Sequence, residues 1–437
     1  MPFSSRATLS LVFALGAVAC GQQSALDIWV ANEDAAASAS KLAHFPEAEK
    51  LLLGNEKLTA TFPPKDARLP RTTFDLAQIF RAEGKYSEAL PRYERALQIY
   101  TELYGPESTE LADTLNGEAE LYKSLNDFPH AEPLLLRSLA IRQKLLKPDS
   151  PESAQSENDL GEVYTAREAY DKAEPLLLDA LAVRRKVAPD SADVAHSLEA
   201  LGTLYNRTKR LPQAEQSFKE AVSIFGKTVG GEHPDYANAL ESLALSAEAR
   251  RDFATAEPLL DRVLEIRKAV FGPEHRDVAT GLDSLAALKS AEHRLPEAAA
   301  LLEQAIALWE KLHGPDNPDL AGDLNNLATI YQGGREPQKA EPLFLRAIAL
   351  DEKALGPESP DVGMDLSNLA LLYLELKRYP DAEKAYERAL PIEIKAYGQE
   401  DHVVRDTMNG YAMTLRNLHR EEEARKIEDH LRATGSK

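Results

Sequence analysis

The histidines, a run of three glutamates at Glu421, Glu422 and Glu423, and a single cysteine, Cys20, are the side chains of this 437-residue chain best suited to chemistry. Their spacing limits what they can do. His233, His275 and His402 fall in or beside links between helical stretches, too far apart in the chain to converge as a local ligand set, so they read as turn or cap residues. The three glutamates read as a solvated helix start. A lone thiol can form neither an intrachain disulfide nor a thiolate cluster. No glycine-rich phosphate loop follows a strand, and no serine or cysteine nucleophile stands in a recognisable setting. The expectation is therefore no catalytic residue, no metal and no cofactor, which leaves binding as the mode of action.

Composition narrows the partner. Lys and Arg total 51 against 71 Asp and Glu, a formal net charge of -20, with 43% hydrophobic and 28% charged residues. A chain this acidic has no broad electrostatic grip on phosphate backbones or anionic lipid, so nucleic acid is not expected, and a partner of basic character is favoured. The length exceeds what one hydrophobic core usually serves, which points to a modular array.

The amino terminus carries Arg6 and then an apolar stretch from Leu9 to Ala19, the length of a signal-peptide core and short of a membrane span. Ala17 and Ala19 form a small-x-small cleavage pattern directly before Cys20. The sequence AVAC resembles the lipobox of bacterial lipoproteins, with Ala17 where that pattern prefers leucine. These features predict a signal peptide over 1–19, a short tether over 20–25 and an exported protein of the cell envelope or periplasm. The protein is expected to meet the membrane only through a lipid at Cys20, and otherwise to be secreted.

The rest of the chain is periodic. Ala48, Ala89, Ala131, Ala173, Ala214, Ala256, Ala298, Ala340, Ala382 and Ala424 follow one another at 41 or 42 residues. Twelve residues before this anchor stands a small residue, such as Gly161, Gly202 or Ala328, and nine before it often an aromatic, such as Tyr331. Four after it comes a large apolar residue such as Phe218 or Phe344, and seven after it a small one such as Ala347. Within a unit, Leu320, Leu324, Leu327 and Tyr331 make one helical stripe and Ala340, Leu343, Phe344 and Ala347 another. Gly333 and Gly334 suit the reversal between them. The link Gly356-Pro357-Glu358-Ser359-Pro360-Asp361 supplies a helix stop, with Asp361, like Asp319 one unit earlier, as the expected cap of the next helix. Pro133, Pro175, Pro258 and Pro342 fall two residues after the anchor, inside the second helix, where a slight bend is expected. The prediction is an all-α protein of about ten helix hairpins spanning 26–431, with a tail over 432–437, each hairpin burying its apolar stripe against its neighbours.

This pattern resembles the tetratricopeptide repeat. DLNNLATIY (Asp323 to Tyr331), AEPLFLRAIA (Ala340 to Ala349) and GPESPDV (Gly356 to Val362) resemble the kinesin-light-chain branch, with its longer hairpins. The chain departs from that branch in lacking a heptad segment and in carrying an export signal. The resemblance implies an α-α superhelix, right-handed, whose first helices line a concave groove that binds peptides or partner domains. It also implies that an asparagine just before a first-helix leucine contacts peptide backbone, a role for which an amide that both donates and accepts is suited. The matching residues here are Asn326 and Asn368. Asn206, Arg207 and Asn417, near the ends of first helices, are further groove candidates, whereas Asn325 is expected to face elsewhere. The function this implies is a non-catalytic scaffold or adaptor for a protein or extended peptide. Alternatives are a self-associating envelope element, which an apolar outer face on the terminal helices would favour, and a groove-based hydrolase.

Overall fold

The computed structural model describes residues 24–63, 65–147 and 149–434. The expected signal segment and Cys20 lie outside the described residues. Within them the chain forms twenty α-helices and no strand. The helices pair as ten antiparallel hairpins, each made of an odd-numbered first helix and an even-numbered second helix. The described residues divide into two compact units, one ending at Leu146 and the other beginning at Lys147. The first unit holds α1 (Ala25–Lys41) to α6 (Phe128–Leu145). The second runs from α7 (Pro151–Ala166) to α20 (Glu421–Thr434).

All ten anchor alanines are fully buried. The small residue twelve before the anchor is needed because the large residue four after the anchor packs onto its helix backbone. A Cβ on Gly161 would sit 2.6 Å from Leu177, and one on Gly202 2.6 Å from Phe218. Neighbouring hairpins of the second unit are also tied by charge. The glutamate after one anchor meets an arginine four before the next, as in Glu174–Arg210 (2.9 Å), Glu257–Arg294 (2.9 Å) and Glu341–Arg378 (2.8 Å).

Three local expectations need correction. The reversal inside each hairpin places a residue in the left-handed region, but it is a glycine only at Gly84. Elsewhere it is a non-glycine residue such as Asn126, Lys209, Arg335 or Lys377, with φ between 57 and 62°. In the hairpin that carries Gly333 and Gly334, Gly334 has φ -75° and Arg335 makes the turn. Asp361 does not cap α17 (Pro360–Glu375); Ser359 does, accepting from the Asp361 N–H. Asp319 makes no side-chain cap to α15 (Leu320–Gly333), and Asn317 accepts the Asp319 N–H instead. The link glycines Gly105, Gly272, Gly314 and Gly356 do hold φ of 83 to 89°. His233 and His275 cap α11 (Pro234–Ala249) and α13 (Arg276–Ala291) as expected, each accepting from the N–H two residues on, while His402 is the exposed first residue of α19 (His402–Asn417).

The prolines also find their explanation. Pro133, Pro175, Pro258 and Pro342 are each the sixth residue of a second helix and exposed. The carbonyl each leaves free belongs to an exposed residue four earlier, where water can satisfy it.

Candidate functional site

In the second unit, first helices approach one another as well as their own partners. α7 meets α9 (Ala192–Arg207), α9 meets α11, α15 meets α17 and α17 meets α19. Among the described residues the backbones of second helices do not approach one another as closely, so the first helices form the more crowded side of this unit's stack.

Two hollows open along this face. The larger, about 890 Å³, lies between α17, α18 (Tyr379–Tyr397) and α19, and the smaller, about 410 Å³, between α13 (Arg276–Ala291), α14 (Leu295–His313) and α15. Asn368 and Asn417 both line the larger, and Asn326 the smaller. Asn368 is partly committed: its Nδ2 donates to Asn325 Oδ1 at 3.2 Å, so Asn325 faces the next first helix rather than elsewhere. Asn417 Nδ2 donates to the Met413 carbonyl of its own helix at 2.8 Å. Asn206, at the end of α9 (Ala192–Arg207), accepts from Ser246 at 3.2 Å. The exposed Arg207 beside it, like Asn206, lines neither hollow, so the five candidates do not form one site.

The asparagine register ends at Asn368 for a steric reason. One repeat later it is Gly410, and a Cβ there would stand 2.2 Å from the Tyr386 hydroxyl. Tyr386 fills the space of the missing side chain. The same exchange occurs in the first unit, where Gly117 accommodates Tyr93.

A second register, eleven residues after the anchor, is buried or half-buried on every second helix of the second unit from α8 (Tyr170–Val187) to α18. In the second unit it reads Arg184, Phe225, Arg267, Trp309, Asp351, Glu393. The early cations are satisfied inside the protein. Arg184 donates to Ser197 Oγ at 2.7 Å, and Arg267 pairs with Glu241 at 2.6 Å, both guanidinium groups being nearly fully buried. Towards the carboxyl end the cations give way to acids. Asp283 has its pKa pushed up to about 7 by burial and the charge of Asp323, against the Trp309 indole N–H. Burial, and then Asp319, raises Asp323 to about 6, and burial, with Asp351 and Asp361, raises Asp365 to about 7. Glu393 is likewise raised by burial, with the Ser367 and Thr407 hydroxyls opposing. Asp283 Oδ1, Asp365 Oδ2 and Glu393 Oε2 have no hydrogen-bond partner. With Glu393, the exposed Met364, Leu371 and Met413 line the larger hollow. Sequence reasoning missed this acidic, apolar surface, although the sign change at the second register is visible in the sequence once the anchor is known.

Comparison with known proteins follows the geometry. No curated protein matches the chain. A kinesin-light-chain candidate of Podosopora anserina, built of nearly identical TPR-like repeats, is 25% identical over 46% of this chain and 95% of its own, with a TM-score of 0.39. BtubC (BKLC) from P. vanneervenii is 21% identical over 62% of this chain and 91% of its own, with a TM-score of 0.37. The Rap protein, solved in complex with the competence and sporulation factor, aligns over 86% of this chain and 99% of its own, with a TM-score of 0.56 and 13% identity, and so shares the fold. The tetratricopeptide-repeat profile matches residues 69–144, 131–186, 152–227, 190–269, 235–311, 277–353, 324–395 and 364–433. With hairpins repeating at its anchor spacing and that profile matched over most of its length, the chain belongs to the tetratricopeptide-repeat family.

Proposed function

We propose that the protein is a non-catalytic scaffold that binds an extended protein segment along α13, α15, α17 and α19, and that this segment is basic with apolar side chains. The observation that carries this reading is the run of cation-free carboxyls, half-buried at Asp283 and Asp323 and buried at Asp365 and Glu393, which ends at the exposed Met364, Leu371 and Met413 of the larger hollow. An incoming positive charge would offset the cost of holding these acids away from water. The Rap complex, a chain of like fold captured with a bound factor, supports binding as a use of this architecture. The self-associating alternative is weakened at the carboxyl end, where α20 presents Glu421, Glu422, Glu423, Arg425 and Lys426 to solvent rather than an apolar face.

The groove is tested by crosslinking pulldown with wild type beside an Asn326→Ala, Asn368→Ala variant. Loss of a reproducible set of captured proteins is expected, and an unchanged set removes these two residues from the groove. The amino-terminal sequence supports export and attachment at Cys20 as part of the same proposal. Metabolic lipid labelling of wild type and Cys20→Ser tests it, with label expected only in wild type; equal label in both rejects the anchor.

A further inference from the structure

Two hairpins of the second unit solve the same packing problem in different ways. In α11 and α12 (Phe253–Phe271) the second register holds Arg267, whose charge is met by Glu241 at 2.6 Å, and Glu241 also accepts from Ser284 of α13 at 2.8 Å. In α17 and α18 the residue at the Arg267 position is Glu393, and the residue at the Glu241 position is Ser367. The acid has moved to the other helix and no base has replaced the arginine. Glu393 Oε1 accepts from Ser367 Oγ at 2.6 Å, while Oε2 has no hydrogen-bond partner although the residue is fully buried. Where the α13 hairpin offers Ser284, the α19 hairpin has Gly410, and α19 brings only the neutral Thr407 hydroxyl beside Glu393, 3.1 Å from Ser367 Oγ. Glu393 and Gly410 both line the 890 Å³ hollow. Its basic residues are peripheral: Lys377 lies in the turn after α17, and His402 is exposed beside Asp401 at 3.3 Å.

We propose that this hollow is a receptor for one long basic side chain, lysine or arginine, of the bound segment. Its aliphatic stem lies on Met364, Leu371 and Met413, and its cationic head supplies Glu393 with the charge that Arg267 supplies to Glu241 three repeats earlier. A stem-and-head ligand suits a cavity with an apolar wall and a buried acceptor at its base. This inference rests on the groove reading and assigns it a specificity position.

The test is a random-peptide display selection on the full chain, followed by titration of the enriched peptides and their basic-residue→Met analogues against wild type and Glu393→Gln. Enriched peptides are expected to share a lysine or arginine at one fixed position. Replacing it by methionine is expected to weaken binding to wild type about tenfold or more, and to Glu393→Gln about twofold or less, as for loss of one charge-assisted hydrogen bond. Equal losses in the two proteins overturn the assignment. Enrichment without a fixed basic residue overturns it too while leaving the groove reading standing, and no enrichment with wild type overturns both. Spermidine titrated alone separates a free amine from a side chain: the proposal requires it to bind roughly a hundredfold more weakly than the enriched peptides, since it lacks their other contacts. Glu393→Met, nearly isosteric and neutral, repeats the titrations should Glu393→Gln not fold, with the same expected pattern.

Discussion

At the scale of single residues, two kinds of position carry most of the constraint. The first is the small residue opposite a large one. Gly202→Ala drives a methyl into the Phe218 ring, whose nearest atom lies 2.6 Å from the new Cβ. Phe218 is 1% exposed and has nowhere to retreat, so a loss of about 1–3 kcal/mol is expected in urea unfolding. A change within about 0.5 kcal/mol would show that the hairpin relaxes freely there. The second is the left-handed turn residue. Lys209 holds φ 61° and is exposed, so Lys209→Gly is expected to raise stability by a few tenths to about 1 kcal/mol, because glycine adopts that region without steric cost. A fall in the urea midpoint at an unchanged slope counts against that account.

At the scale of elements, the acids between first and second helices set a pH dependence. Asp283 and Asp365 are raised from an ordinary 3.8 to about 7. Across that interval the folded chain holds protons that the unfolded chain has released, so their contribution to stability falls as pH rises from about 4 to about 7 and is level above that. An Asp283→Asn, Asp365→Asn variant removes this loss. Its stability relative to wild type is expected to increase through that window in denaturant titrations at successive pH values, and a difference independent of pH would contradict the burial of these carboxyls. The same elements explain why prolines in second helices are tolerated: the stripe that packs is opposite the face that carries them.

At the scale of the whole molecule, a stack of hairpins has no central core. Each hairpin of the second unit buries its stripe against its neighbours, so local opening is expected to begin where a neighbour is missing. Ile427 and Leu431 of α20 cover Val404 and Met408 of α19. Ending the chain at Arg420 is expected to raise amide exchange in α19 and the lower wall of the 890 Å³ hollow while leaving α13 to α16 (Pro337–Leu355) protected. Uniform loss of protection across the second unit would indicate a single cooperative core instead.

The sequence by itself determined the class of this protein, because a hairpin copied ten times shows each packing position repeatedly. The anchor alanines and the link glycines were legible from spacing, and the candidate groove asparagines Asn326 and Asn368 from the family resemblance that the spacing carries. Tertiary structure decided what repetition cannot carry. Asn325 rather than Asn326 pairs with Asn368 because adjacent first helices meet one residue out of register. Ser359 rather than Asp361 caps α17, since the cap depends on backbone geometry at the link. Glu393 matters because of what does not stand opposite it, and a missing counter-charge is a property of three helices brought together, which no single stretch of sequence displays.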